Sequence, residues 1–192
     1  MKKLYLMRHG ETLFNQLGKI QGASDSPLTE AGIKQAEIAK EYFEVNNIRL
    51  DAYYSSTQER ASDTLEIIIG NKEYQRLKGL KEWDFGIFEG EKEYLNPKRP
   101  EGETSYGDSF VPYGGESSKE VQRRMNATLT NIMEQEDGNV LAVSHGGAMY
   151  LFIQKWLPYE EVVKIKFSNC CILEFSYDNR NFEFIQAINH KY

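Results

Sequence analysis

The chain has 192 residues, of which 40% are hydrophobic and 27% are charged, which is typical of an ordinary globular protein that forms one domain, residues 1–192, with a sizeable core. Its net charge of −6 excludes a broad nucleic-acid-binding surface, which would be basic, but still allows a few arginines to form a locally positive cleft. No apolar run approaches the roughly 18 residues of a membrane span, and the run near the start is far shorter than a signal-peptide core, so we expect a cytoplasmic protein with neither nucleic acid nor membrane as a partner.

The first predicted element is a buried strand at residues 4–7, which stops at Arg8, His9 and Gly10. In open parallel sheets, ligands bind beyond the carboxyl ends of the strands, so an arginine and a histidine at this position are candidate binding residues. Gly10 has no side chain that would keep a ligand away from the backbone. The alternative is a surface loop that contains these three residues by chance.

After a polar loop at residues 15–26, Thr29 is the predicted N-cap of a helix that ends near Asn46. Spacings of three and four place one set of side chains on a single face of this helix. They are Ile33, Ala36, Ala39, Lys40 and Phe43. A second strand is predicted at residues 48–54.

A helix at residues 57–69 follows, and Gly70 ends it. Arg60 lies in its first turn, where the positive end of the helix dipole disfavours a cation. Arg60 is therefore either a solvated side chain or, together with the helix end, one wall of an anion site.

A short strand at residues 74–80 leads to Glu82. Residues 91–115 then show no sustained periodicity and contain several prolines and glycines, and we interpret them as an excursion that covers the ligand crevice. The aromatic side chains of this excursion would form either a wall of the substrate site or a small core of the excursion itself. They are Tyr94, Tyr106, Phe110 and Tyr113.

Ser117 and Glu120 form a capping-box pattern, which predicts a helix that runs to about residue 137 and ends at Gly138. Arg123 and Arg124 in this helix project about 100° apart, so at most one of them faces inward. The alternative is that both are solvated.

The pattern of strand, histidine and glycine then recurs, because an apolar run at residues 140–143 is followed by Ser144, His145 and Gly146. Two of the three histidines of the chain thus lie after an apolar run and before a glycine. A histidine that was in the core by chance would not need that setting twice. The third, His190, lies near the end of the sequence, and we expect it to be solvated.

A helix at residues 148–157 and a hairpin with strands at 170–177 and 182–188 complete the predicted elements. Strands alternate with helices over most of the chain, which predicts an α/β fold: a three-layer α/β/α sandwich whose central sheet is mostly parallel, with an antiparallel edge formed by the hairpin. The adjacent Cys170 and Cys171 would point to opposite faces of a strand, so no disulfide is expected between them, as in a reducing compartment.

Taken together, these motifs resemble the histidine phosphatase superfamily, which contains the cofactor-dependent phosphoglycerate mutases and their phosphatase relatives. In chain order the matching residues are Arg8, His9, Gly10, Glu11, Thr12 and Asn15; Gln21, Gly22 and Asp25; Pro27, Leu28, Thr29 and Gly32; Ser55, Ser56, Arg60, Ala61 and Thr64; Glu82, Gly86, Glu89 and Gly90; Gly115, Glu116, Ser117 and Arg123; and Ser144, His145 and Gly146. The Arg-His-Gly motif alone is weakly specific, whereas the ordered set is highly specific and spans nearly the whole chain. The resemblance implies a phosphoglycerate mutase-like fold.

The resemblance also implies roles for individual residues. It makes His9 the nucleophile, whereas the residue pattern alone does not choose between His9 and His145, and it selects Arg123 from the arginine pair. The other site residues it implies are Arg8, Arg60 and His145 in the phosphate pocket, Asn15 as a further ligand contact, backbone N–H groups near Gln21, Gly22 and Gly146, and Glu82 as the proton donor.

The chemistry of these side chains suits phosphoryl transfer. Arginine forks match phosphate oxygens, and a neutral imidazole nitrogen can attack phosphorus to form a covalent phosphohistidine, which divides hydrolysis into transfer to histidine and then to water. The leaving alkoxide needs a proton, and Trp83 and Phe85 would favour a protonated Glu82 by desolvation. No metal or other cofactor is expected, because the arginines neutralise the charge; a two-histidine, one-carboxylate metal site is the disfavoured alternative.

The mutase branch follows its Glu-Gly element with a basic motif for a bisphosphate cofactor, whereas residues 89–94 here are mostly acidic. The sequence therefore predicts a phosphatase that acts on small-molecule phosphomonoesters. A cofactor-dependent phosphoglycerate mutase is the first alternative, and a non-catalytic phosphate-binding regulatory module is the second. The sequence indicates neither the particular substrate nor the oligomeric state.

Overall fold

The structure, a computed structural model, describes residues 2–191, and a six-stranded sheet lies at its centre. The strands are β1 (Lys2–Arg8), β2 (Ala52–Ser56), β3 (Gln75–Leu77), β4 (Val140–Ser144), β5 (Ile172–Asp178) and β6 (Asn181–Ile188). Their order across the sheet is β3-β2-β4-β1-β5-β6. The first four pair in parallel, whereas β5 runs antiparallel to both β1 and β6. This confirms the predicted mostly parallel sheet with an antiparallel hairpin at one edge.

Helices cover both faces of the sheet. They are α1 (Leu13–Gln16), α2 (Glu30–Val45), α3 (Glu59–Ile69), α4 (Ser118–Gln135), α5 (Gly146–Ile153) and α6 (Tyr159–Val162). Successive side chains of β1 enter opposite layers, so Met7 packs with Leu65 of α3 while Leu6 belongs to the core that contains Met125 of α4. The three-layer α/β/α arrangement predicted from the alternation of elements is therefore confirmed.

The register of β1 and β4 places two histidines at the same edge of the sheet. The two strands are adjacent and parallel, with Arg8 opposite Ser144. The His9 N–H also donates to the Ser144 carbonyl at 3.1 Å. The residues that directly follow each strand, His9 and His145, therefore leave the sheet at the same level.

Close packing at the start of α2 explains why glycine occupies positions 10 and 32. Thr29 caps the helix as predicted, and its hydroxyl accepts the N–H of Gly32. Ile33, which we expected on the buried face, is 41% exposed, and Gly32 is buried instead. A Cβ on Gly32 would lie 2.0 Å from the Glu11 carbonyl oxygen, and a Cβ on Gly10 would lie 2.5 Å from the Gly32 carbonyl oxygen. Gly10 is thus required by helix packing rather than by the approach of a ligand.

Several predicted boundaries shift. The second strand begins at Ala52 rather than at residue 48, because the Ile48 N–H bonds back to Phe43 at the end of α2. The strand predicted at 74–80 is shorter, and 3₁₀ turns follow it along the chain. These turns are Lys78–Leu80, Gly86–Phe88, Glu93–Leu95 and Val111–Tyr113. The helix predicted at 148–157 begins at Gly146 and ends at Ile153 instead.

The capping box of α4 is confirmed, although the helix ends at Gln135, before Gly138. The choice of Arg123 as the inward arginine was wrong: Arg123 is exposed, whereas Arg124 packs inward and donates hydrogen bonds to the Lys81 and Glu82 carbonyls and to the Glu116 carboxylate.

His190 is not the solvated side chain that we expected. Its ring packs against Tyr42 with a centroid distance of 5.5 Å, and burial lowers the pKa of the imidazole. It packs on α2 through Tyr42 and does not line the cavity that contains His9.

One cluster of aromatic rings fills both of the roles predicted for the aromatic residues of the excursion. Phe110 is fully buried, and the rings of Trp83, Phe85 and Tyr106 pack around it. Those three rings also line the cavity that contains Arg8 and His9, so the same cluster is both the core of the excursion and a wall of the crevice. Tyr94 is 82% exposed and belongs to neither.

No helix within residues 2–191 combines the length and hydropathy that a bilayer crossing requires. Both cysteines in this part of the chain are buried free thiols.

Candidate active site

His9 and His145 lie side by side where β1 and β4 end. Their ring centroids are 5.1 Å apart, and the residues are 4% and 0% exposed. Burial lowers the pKa of His9 well below its usual value, and the charges of Arg60 and Arg8 lower it further. Burial and the same arginines also lower the pKa of His145. Both imidazoles are therefore neutral at physiological pH.

The hydrogen bond of His9 identifies its reactive nitrogen. Nδ1 lies 2.7 Å from the Gly10 carbonyl oxygen. Because a carbonyl can only accept, Nδ1 carries the proton and Nε2 keeps its lone pair. A neutral imidazole with a free Nε2 lone pair is the form of histidine that can act as a nucleophile.

His145 differs from His9 in which ring nitrogen is bonded to the protein. Its Nε2 lies 2.7 Å from the Ser56 hydroxyl, which itself accepts the Gln58 N–H at 3.2 Å. Among residues 2–191, Nε2 is the only hydrogen-bond acceptor for the Ser56 hydroxyl proton, so that proton points to Nε2 and the imidazole proton is on Nδ1. His145 thus presents an N–H donor where His9 presents a lone pair.

Four buried side-chain nitrogens around this pair have no hydrogen-bond partner among residues 2–191. They are Arg8 Nε, Arg60 Nε, Gln21 Nε2 and His145 Nδ1. All four are donors, and an unpaired buried donor typically costs about 1–3 kcal/mol. Such groups are rare in folded proteins, so a cluster of them indicates a ligand rich in acceptors. Two of the four belong to guanidinium groups, which favours a phosphate oxygen over a neutral acceptor.

Arg60 is held by the loop at residues 21–25. The side chain is fully buried, and its two Nη atoms donate to the Gln21, Gly22 and Ser24 carbonyls and to the Asp25 carboxylate. On the other side of the loop, the Glu89 carboxylate accepts the N–H groups of residues 22–24. The peptide groups are therefore oriented between an anion and a cation, which fixes the guanidinium while its Nε stays unpaired.

This arrangement corrects the expectation for Gly22. Its N–H donates to Glu89 at 3.0 Å, its carbonyl accepts from Arg60, and it does not line the cavity. A Cβ at this position would lie 2.0 Å from the Trp83 carbonyl oxygen. Gly22 therefore allows close packing of the loop rather than contact with a ligand.

Glu82 closes the site from the side of α5. Its carboxylate accepts the N–H groups of Trp83, Gly147 and Ala148 at 2.7–2.9 Å, two of which belong to the first turn of α5. It is thus held by three donors and is not isolated against Trp83 and Phe85, as the sequence suggested. Within residues 2–191, no group of three His, Cys, Asp or Glu side chains is arranged as a metal site.

A cavity with a volume of about 610 Å³ opens over these residues. Six of the predicted site residues line it: Arg8, His9, Asn15, Gln21, Glu82 and Gly146. Arg60 and His145 lie behind this surface, fully buried. A cavity of this size suits a small molecule rather than a macromolecule.

Sequence reasoning missed several residues of the site. Lys19, Arg99 and Tyr150 line the cavity, but each lies in a stretch without a motif, so no local pattern indicates them. Ser56 was part of the ordered motif set without an assigned role, and its contact with His145 depends on two segments 89 positions apart.

The chain is similar over most of its length to proteins of one family. Residues 4–190 match the family model described as histidine phosphatase superfamily (branch 1). Among curated proteins, the chain is 33% identical over 187 residues to a probable phosphoglycerate mutase, GpmB, of Yersinia pestis (strain Pestoides F), with 92% of this chain and 86% of that protein covered.

Solved structures with the same fold include a phosphatase and a mutase. Phosphoserine phosphatase from Entamoeba histolytica, in complex with 3-phosphoglyceric acid, superposes with a TM-score of 0.81 and 30% identity, covering 100% of this chain and 98% of that one. A phosphoglycerate mutase from Bacillus anthracis str. Sterne gives a TM-score of 0.82 and 26% identity, covering 96% and 91%.

Proposed function

The chain belongs to the histidine phosphatase superfamily, and we propose that it is a metal-independent phosphatase that hydrolyses small phosphomonoesters through a phosphohistidine on His9. One observation carries this proposal. The Nε2 lone pair of a buried, neutral His9 lies beside a cluster of unpaired N–H donors from Arg8, Arg60, Gln21 and His145. A nucleophile next to donors for the equatorial oxygens is what in-line phosphoryl transfer requires.

In the first step, His9 Nε2 forms a bond to phosphorus and the ester P–O bond breaks. The leaving alkoxide takes a proton from Glu82, which lines the same cavity. In the second step, water attacks the phosphohistidine, the P–N bond breaks, and the Glu82 carboxylate receives the proton of the water. His9 and Glu82 thereby return to their starting forms, and inorganic phosphate leaves.

The arginines carry the electrostatic part of this mechanism. Arg8 and Arg60 face the charge that spreads over the phosphoryl oxygens, and the His145 Nδ1–H adds a neutral donor. The fixed orientation of Arg60 between Asp25 and the loop carbonyls reduces the reorganisation needed during the reaction. Neutralisation by two guanidinium groups makes a divalent cation unnecessary.

The substrate proposal stays at the level of small phosphomonoesters. The cavity of about 610 Å³ combines the rings of Trp83, Phe85 and Tyr106 with the cations Lys19 and Arg99. It can therefore accommodate leaving groups with rings as well as anionic ones. A panel of phosphorylated metabolites is the direct way to rank candidate substrates. It should include phosphoserine and 3-phosphoglycerate, because structures of a similar phosphatase contain these two compounds.

A phosphoglycerate mutase is the second candidate, and the resemblance to a probable mutase of Yersinia pestis favours it. The excursion contributes Glu93 to the cavity wall, and the negative charge of Glu93 would repel a bisphosphate cofactor. Incubation with 3-phosphoglycerate and a trace of 2,3-bisphosphoglycerate separates the two candidates. Formation of 2-phosphoglycerate faster than release of phosphate would favour the mutase.

The proposal is tested with p-nitrophenyl phosphate in the presence of EDTA, from acidic to neutral pH. We expect turnover by the wild type, no turnover by His9→Ala, and unchanged turnover by His190→Ala, which removes a histidine that does not line the cavity. Absence of turnover of p-nitrophenyl phosphate and of the whole metabolite panel by the wild type would contradict the proposal and favour a phosphate-binding module.

A further inference from the structure

We propose that Arg124 is a positioning residue that acts through Glu82, an inference that rests on the proposed function. Arg124 does not line the cavity. Its guanidinium instead donates to three backbone carbonyls in the segment that carries Glu82. The distances are 2.8 Å from Nη2 to Glu82 O, 2.6 Å from Nη1 to Lys81 O and 3.1 Å from Nη1 to Gly79 O.

Glu116 holds the other edge of the guanidinium. Its carboxylate binds Arg124 in bidentate fashion, with Nε–Oε1 and Nη2–Oε2 distances of 2.8 Å. The same residue binds the chain on the far side of Glu82, because Glu116 Oε2 accepts the Asp84 N–H at 3.1 Å and the Glu116 carbonyl accepts the indole N–H of Trp83 at 2.6 Å. The Arg124–Glu116 pair therefore clamps residues 79–84 from both sides of Glu82.

The clamp fixes the backbone from which the Glu82 carboxyl reaches the cavity. The N–H of Glu82 is bonded to Gln58 at 2.9 Å, and its carbonyl is bonded to Arg124, so both peptide groups are anchored by side chains from other elements. A proton donor must lie within about 2.6–3.2 Å of the leaving oxygen, and a misplacement of about 1 Å can cost roughly 100-fold in rate. Arg124 thus determines proton delivery without itself exchanging a proton.

A lysine would not replace this arginine, because the planar fork of donors is needed to reach carbonyls and a bidentate carboxylate at once. The neighbouring Arg123 provides a matched control. It lies one position earlier on the same helix, is exposed, and makes none of these bonds.

The test compares kcat/KM for two substrates that differ in their need for a proton. The p-nitrophenolate anion is a good leaving group without protonation, whereas the alkoxide of a simple alkyl phosphate is not. We expect Arg124→Met to lower kcat/KM for the alkyl phosphate by roughly 100-fold and to affect p-nitrophenyl phosphate far less. Arg124→Lys should show the same selectivity, and Arg123→Met should match the wild type with both substrates.

Two further measurements separate positioning from general damage. The inhibition constant of inorganic phosphate should change little in Arg124→Met, because Arg124 makes no hydrogen bond to Arg8, Arg60 or His145. Glu82→Gln should reproduce the substrate selectivity more strongly. If Arg124→Met does not fold, Glu116→Gln weakens the same clamp with little change in volume and should show the same selectivity to a smaller degree.

Equal losses for the two substrates in a folded Arg124 variant, or no loss for either, would overturn the inference. A failure of the proposed function can be distinguished from a failure of this inference, because a failure of the proposed function would appear in the wild type. If the wild type shows no His9-dependent turnover of either substrate, both proposals fail; if Glu82→Gln is selective and Arg124→Met is not, only the clamp is wrong.

Discussion

Replacing Ser56 with alanine tests how the site controls His145. The Ser56 hydroxyl is the group that directs a proton to His145 Nε2. Without it, the imidazole can place its own proton on Nε2, and Nδ1 then becomes an acceptor that repels a phosphate oxygen instead of binding it. The variant therefore removes one of the four donors that we assign to the phosphoryl group.

The size of the effect follows from the lost bond. A hydrogen bond to a charged group contributes about 1.5–3 kcal/mol. Since about 1.4 kcal/mol corresponds to a factor of ten, phosphate binding should weaken by roughly 10- to 150-fold. Ser55→Ala is the matched control, because Ser55 is equally buried but its hydroxyl donates to the Ser56 carbonyl and not to His145.

The assay is the inhibition of p-nitrophenyl phosphate turnover by inorganic phosphate and by vanadate, with thermal midpoints recorded for both variants. We expect higher inhibition constants for Ser56→Ala and nearly unchanged ones for Ser55→Ala. If Ser56→Ala binds phosphate as tightly as the wild type, the assignment of the Nδ1–H donor is refuted.

The remaining predictions concern His9, the Arg60 loop and the packing of Gly10. Because burial and nearby arginines lower the pKa of His9, its imidazole stays neutral as the pH falls through 6.5, so NMR should show no protonation midpoint near that value; a midpoint there would contradict the assignment. The same lowered pKa means that the unfolded chain binds more protons below pH 6.5, so the free energy of unfolding should fall as the pH is lowered from 6.5. Glu89→Gln removes the charge that holds the loop behind Arg60 and should raise the inhibition constant of phosphate roughly tenfold, or more if a full charged hydrogen bond is lost; an unchanged constant would show that the loop is held without it. Gly10→Ala places a Cβ 2.5 Å from the Gly32 carbonyl oxygen and should lower the stability by about 1–3 kcal/mol in denaturant unfolding, whereas wild-type stability would contradict the packing.

The sheet and its paired histidines could be predicted because they depend on local patterns. An apolar run followed by histidine and glycine occurs at both Arg8–Gly10 and Ser144–Gly146, and parallel strands bring their carboxyl ends to one edge. Nothing local indicates that Ser56 meets His145 or that Glu82 meets the first turn of α5, since these contacts depend on the packing of distant segments.

The sequence contained a signal that identifies Arg124, rather than Arg123, as the inward-facing arginine. Val121 and Met125 define the buried stripe of α4, and Arg124 lies three residues after Val121, a spacing that places it beside that stripe. Arg123 lies two residues after Val121, on the side of the helix that faces solvent. Helical phase was therefore a better guide to the inward arginine than the motif match.

Hydrophobic periodicity gave no comparable signal for the close backbone contact at the start of α2. Ile33 satisfies the apolar periodicity, but the helix approaches the chain after β1 so closely that only Gly32 fits at the contact. Hydrophobic periodicity cannot detect such a contact, because it depends on backbone-to-backbone distance rather than on side-chain polarity.

The most direct test of the account is to trap the phosphoenzyme. The wild type is mixed with a phosphate-labelled substrate, quenched in base, which preserves phosphohistidine, and digested for peptide mapping. We predict one acid-labile phosphoryl group, located on His9 and absent from His9→Ala. Label on another residue, or turnover by His9→Ala at the wild-type rate without a covalent intermediate, would contradict the central claim.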